Sequence, residues 1–126
     1  MRILLDTHVY LWWLDNPVLL SKKAVELIEN PNNTIYISAV VSWEISIKAS
    51  VGKLNVSSDV MDYIVKNSFI ELPITVKHTR ELVALENLHK DPFDRILLAQ
   101  AKSEKLTFIT RDSQCLKYKD VKLIKG

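Results

Sequence analysis

Short apolar runs alternate along this chain with longer segments of helical periodicity, and that alternation restricts the fold more than any other feature. Arg2–Leu5 (RILL), residues 34–37 (TIYI), 69–72 (FIEL), Thr107–Thr110 (TFIT) and 121–124 (VKLI) read as strands. Residues 8–14, 21–30, 39–51, 57–68, 76–85 and 92–105 read as helices between them. Punctuation agrees: the helix at 21–30 stops at Asn30-Pro31 and that at 39–51 stops at Gly52. Ser57 or Ser58 caps the next, and Asp91 before Pro92 caps the last. Continuous apolar strands separated by helices predict an α/β fold, with a parallel sheet covered on both faces.

A chain of 126 residues suits one domain, 1–126, around one core. A net charge of +2 supplies no general attraction to nucleic acid or membrane. The single cysteine, Cys115, excludes an internal disulfide, and no Cys/His group has zinc spacing. Asp6 interrupts the first apolar run too early for a signal peptide, and no apolar stretch reaches membrane-spanning length. A reducing cytoplasm is therefore expected.

Four carboxylates stand out by position. Asp6 closes the first strand and Asp112 follows the strand TFIT. In an open parallel sheet, ligands bind outside the carboxyl ends of the strands. Crossover helices run back against their strands, so their first turns sit on that same edge. Asp94 lies in such a first turn, and Glu44 lies roughly 7 Å into the helix after TIYI. Helical spacing groups Glu44 with Val40, Ile47 and Lys48, a largely apolar face on which an unsatisfied carboxylate is costly. Acids gathered on one rim also repel one another. A bound cation resolves both costs, and oxygen donors without cysteine favour Mg²⁺ or Mn²⁺.

Each acid has a plainer reading. Asp91 and Asp94 together could form a cap and a favourable charge at the positive helix end. Glu44 could pair with Lys48 four residues on. Asp112 could cap a turn through Ser113 and Gln114. Asp6, directly behind a buried strand, has the weakest such alternative.

The segments LLDTHVYLWW, ISAVVSWEISIK, HKDPFDRILLAQA and FITRD, in that order, resemble the PIN domain, and most closely the VapC-type ribonuclease toxins of toxin–antitoxin pairs. DPFDRILLAQA is the most specific piece. The resemblance implies a Rossmann-like three-layer α/β/α sandwich with a mainly parallel central sheet. It assigns Asp6, Glu44, Asp94 and Asp112 as the catalytic, metal-holding acids and leaves Asp91 its capping role. It further implies Mg²⁺- or Mn²⁺-dependent hydrolysis of single-stranded RNA to a 5′-phosphate and a 3′-hydroxyl, a homodimer, and neutralisation by a cognate antitoxin.

Beside the acids, Thr7, Ser38 and Thr110 are candidates to orient water, or simply to bond local backbone. Arg95, Arg111 and Lys48 are candidates for the RNA backbone or for steadying a carboxylate. The run KYKDVKLIK reads as an edge strand guarded by lysines. Trp12 and Trp13 cannot both point inward from one short helix, so part of that aromatic surface is expected to be exposed and to suit a dimer or antitoxin interface. The rivals fit less well. A receiver-like domain needs an aspartate after its middle strand, where FIELPIT offers only Glu71. A haloacid-dehalogenase-like phosphatase needs a second aspartate where His8 stands. A nuclease acting on DNA or in RNA processing, and a non-catalytic module holding a structural ion, remain open.

Overall fold

The computed structural model describes residues 1–126. Five strands form one sheet: β1 (Arg2–Leu5), β2 (Thr34–Ser38), β3 (Ile70–Leu72), β4 (Thr107–Thr110) and β5 (Lys122–Lys125). Their order is β3-β2-β1-β4-β5 and every neighbouring pair is parallel. The expected α/β/α sandwich is thus the observed fold, with a sheet that is parallel throughout rather than mainly so.

The strand order shows why the central runs are unbroken. β1 and β4 are covered on both faces, so Ile3, Leu4, Leu5, Phe108 and Ile109 are all fully buried. The edge strand β5 keeps Lys122 and Lys125 exposed, the guard anticipated for KYKDVKLIK. From β1 the chain moves outward through β2 to β3, then returns to the far side of β1 for β4. The direction of winding therefore reverses between β1 and β4, and a crevice opens at their carboxyl ends.

The crossovers carry α1 (Thr7–Asp15), α2 (Lys22–Glu29), α3 (Ala39–Ser50), α4 (Tyr63–Lys66), α5 (Val76–Ala84) and α6 (Pro92–Glu104). Their starts follow local chemistry. Ser21 accepts from Ala24 N, Ser38 from Val40 N, and Asp91 from both Phe93 N and Asp94 N ahead of Pro92. Past the end of α3, Gly52 takes φ +74°, and Lys53 N reaches back to Lys48 O at 2.9 Å. No helix is long and apolar enough to cross a membrane.

One expected helix is largely missing. Residues 57–68 form turns and only the single helical turn α4. Ser57 Oγ donates to the Asp59 carboxylate instead of capping a helix, and Asp62 at the start of α4 makes no side-chain cap. The Tyr10 hydroxyl donates to Val60 O at 2.6 Å, so α1 fixes this segment in a non-helical path. Short 3₁₀ turns at Pro17–Leu19 and Cys115–Lys117 were not legible in the apolar pattern.

Candidate active site

All four expected acids line one cleft of about 340 Å³ at the carboxyl ends of β1 and β4. Each arrives by a different local device. Asp6 is the N-cap of α1: its carboxylate accepts from His8 N at 3.1 Å and from the Thr110 hydroxyl on β4. It is only 5% exposed, and burial raises its pKa against the opposing pull of Thr110. Glu44, in the second turn of α3 and equally buried, accepts from the Thr7 hydroxyl at 2.7 Å and from Lys48 Nζ at 2.5 Å. The plainer reading of Glu44 with Lys48 and the site reading therefore coexist, because the pair forms inside the cleft. The bond to Glu44 raises the Lys48 pKa in turn.

Asp94 sits behind the cap of α6, where Asp91 rather than Asp94 takes the free backbone N–H groups. Burial first, then the charges of Asp6, Asp91, Asp112 and Glu44, push its pKa up to about 8. Trp43 on α3 meets Phe93 on α6 edge to face with ring centres 4.8 Å apart, which ties together the two helices that carry Glu44 and Asp94. Asp112 Oδ1 accepts from Gln114 N at 2.8 Å and Cys115 N at 2.9 Å. Burial pushes its pKa up, but the Cys115 N–H, His89 and the Gln114 N–H outweigh it and hold the carboxyl below its usual range. The turn that Asp112 caps thus runs through Gln114 and Cys115 rather than Ser113, and the cap faces the cleft.

The neutral and basic candidates separate. Thr7 and Thr110 are buried and spend their hydroxyls on Glu44 and Asp6, so they orient carboxylates. Lys48 and Arg111 line the cleft. Arg111 lies with its guanidinium 5.1 Å from the centre of the Trp12 ring and donates twice to Gly126 O. The other two candidates, Ser38 and Arg95, hydrogen-bond to none of the four acids. Ser38 commits its oxygen to the start of α3 and faces a separate cavity beside Trp43 and Met61. Arg95 adjoins Asp94 in sequence, but its guanidinium donates instead to Leu82 O, Glu86 O, His89 O and the Tyr118 hydroxyl.

A family model described as the PIN domain matches residues 3–121. The chain belongs to the PIN domain family. A search of curated proteins gives no match. Among solved structures, this PIN domain is similar to a chain of the VapBC2 complex of Rickettsia felis bound to a promoter DNA fragment, with TM-score 0.75, 18% identity, and coverage of 100% of this chain and 99% of that one. It is similar to a chain of DNA-bound VapBC from Salmonella typhimurium at TM-score 0.71 and 15% identity, covering 99% and 98%. A chain of FitAcB from Neisseria gonorrhoeae gives TM-score 0.65 at 22% identity, covering 98% and 96%. Likeness at these identities establishes the shared fold.

Residues outside the sequence-based set also reach this PIN domain's cleft. His8, Trp12 and Asp91 line it, and His89 places Nε2 2.9 Å from Asp94 Oδ2 and 3.1 Å from Asp112 Oδ1. Trp12 faces the cleft, and both Trp12 and Trp13 are half-buried; the more exposed aromatic is Trp43, at 50%. His89 precedes the DPFDR run by one residue, but nothing in its spacing signals that a loop folds back to set its ring between two carboxylates.

Proposed function

We propose that this PIN domain is a toxin-type endoribonuclease that hydrolyses single-stranded RNA with a divalent metal ion and is neutralised by a cognate antitoxin. The observation that carries the reading is the charge balance of the cleft. Asp6, Glu44, Asp94 and Asp112 converge on it from four separated segments, with Asp6 and Glu44 only 5% exposed and Asp94 shifted to about 8. Such a group is costly without a compensating cation. The four acids offer only oxygen, which fits Mg²⁺ or Mn²⁺, and would hold the ion, with His89 and Cys115 placing a nitrogen and a sulfur within 4.8 Å of the Asp94 and Asp112 oxygens. When bound, the ion acidifies water for attack on phosphorus and offsets charge on the phosphate oxygens.

The chain's own groups do the rest. Thr7 and Thr110 fix the directions of the Glu44 and Asp6 carboxylates. Lys48 and Arg111 bring positive charge to the same cleft, where the phosphate backbone would lie. The antitoxin is supported by the resemblance to VapC-type toxins and by the VapBC complexes among the structural neighbours, and the homodimer rests on that resemblance alone. A buried, unpaired Cys115 suits a reducing cytoplasm.

The test compares Asp6→Asn and Asp94→Asn with the parent on single-stranded RNA and DNA in parallel, with Mg²⁺, Mn²⁺ or chelator. Both variants should keep the fold and lose cleavage at least about 100-fold. Parent cleavage should need the ion and favour RNA. Full activity in either variant rejects the assigned site, and equal cutting of DNA rejects the substrate.

A further inference from the structure

The metal-holding role of the acids leaves His89 unexplained. The backbone N–H of Asp91 donates to His89 Nδ1 at 3.2 Å. A ring nitrogen that accepts a hydrogen bond carries no proton, so the imidazole proton resides on Nε2. That atom is shielded from solvent and lies between Asp94 Oδ2 and Asp112 Oδ1, at 2.9 and 3.1 Å. Neither contact has hydrogen-bond geometry, so Nε2 is a buried nitrogen without a hydrogen-bond partner although two carboxylate oxygens lie within 3.1 Å of it.

The loop bearing His89 is itself clamped. The Tyr118 hydroxyl accepts from Leu88 N at 3.3 Å and His89 N at 3.0 Å. Arg95 donates to the Tyr118 hydroxyl at 3.2 Å, to Glu86 O at 3.1 Å, to His89 O at 3.4 Å and to Leu82 O at 3.3 Å. Every hydrogen bond of that guanidinium goes to this loop, the end of α5 or Tyr118.

We infer that His89 is a positioning residue of the metal site: its Nε2–H holds Asp94 and Asp112 at a fixed separation, and Arg95 with Tyr118 holds the ring in place. The inference rests on the reading of the cleft as a metal-dependent nuclease site. A histidine that ligates an ion presents it a bare nitrogen and donates its other N–H outward; His89 shows the reverse polarity. The geometry leaves room for the ion. His89 engages Oδ2 of Asp94 and Oδ1 of Asp112, and the latter also accepts two backbone N–H groups. The second oxygen of each carboxylate stays available. Asp94 belongs to α6 and Asp112 to the turn after β4, so two mutually repelling groups on separate elements need a shared donor to keep their spacing.

Nitrogen-detected NMR of the histidine rings, without metal and during titration with Mg²⁺ and then Zn²⁺, tests the polarity. His89 should carry its proton on Nε2 throughout. A proton on Nδ1, or displacement of the Nε2 proton by either ion, overturns the inference. Calorimetric Mn²⁺ binding then tests the consequence. His89→Ala should weaken binding roughly 10–100-fold, as loss of a group that orients ligands does. His89→Gln, with an amide N–H in its place, should recover most of it. Tyr118→Phe, which spares the ring but loosens its loop, should give a smaller fall, and it keeps the test open if His89→Ala does not fold. Unchanged Mn²⁺ affinity in the folded variants overturns the positioning role. If the parent cuts no RNA while these binding effects hold, the nuclease reading fails and the role of His89 stands.

Discussion

At pH 6 and without metal, the folded chain keeps a proton on Asp94 that the unfolded chain has released. The group's pKa rises from its ordinary 3.8 to about 8 on folding, chiefly through burial and then through the four acids around it. The folded state therefore binds more protons than the unfolded state between those values, and this group's contribution to stability falls as pH rises through that window. Asp94→Asn removes the penalty. The variant should be more stable than the metal-free parent at pH 8, on the order of 2 kcal/mol, with little difference at pH 4; urea midpoints at both pH values check this. A parent whose stability is flat across the window in chelator, and a variant no more stable at pH 8, would contradict the strained charge of the cleft. Asp94 was legible as a site candidate because a cap needs only one carboxylate and Asp91 supplies it. His89 was not, and Arg95 was read as a contact for RNA or a carboxylate rather than as the clamp of this loop, because their partners are chosen by the path of a loop that no periodicity encodes.

Helix starts are the elements that sequence reported best. Asp91 accepts the backbone N–H groups of Phe93 and Asp94 where the Asp-Pro pattern placed it, while Ser21 and Ser38 cap α2 and α3 without having been assigned that role. Such bonds span only two or three residues and need no tertiary partner. Residues 57–68 failed for the opposite reason: the hydroxyl of Tyr10, fifty positions away, captures Val60 O and leaves a single helical turn. Ser38 shows how the two scales divide the labour. Its oxygen caps α3 instead of facing the acids, so Ser38→Ala should cost about 1 kcal/mol in urea denaturation and leave Mn²⁺ affinity unchanged. A loss of cleavage beyond that expected from stability would return the water-orienting role to this residue.

For the molecule as a whole, alternating elements made the parallel sheet legible, and the carboxyl edge of the strands then located the cleft before any contact was known. What alternation leaves undetermined is the order of the strands, and here the order places the crevice between β1 and β4. An ion that binds only the assembled edge must stabilise the entire fold by mass action. Free Mn²⁺ at one hundred times its Kd should add about 2.7 kcal/mol to unfolding, with the gain lost in Asp94→Asn; thermal or urea unfolding with and without the ion measures it. The Asp6 carboxylate is held by Thr110, 104 residues further along the chain. A ribosome that has made the first hundred residues thus carries Asp6, Glu44 and Asp94 with no β4 to gather them. On the proposed ribonuclease reading, a chain built this way would spare the RNA around it during most of its own synthesis and gain a complete site only when its last fifth folds home.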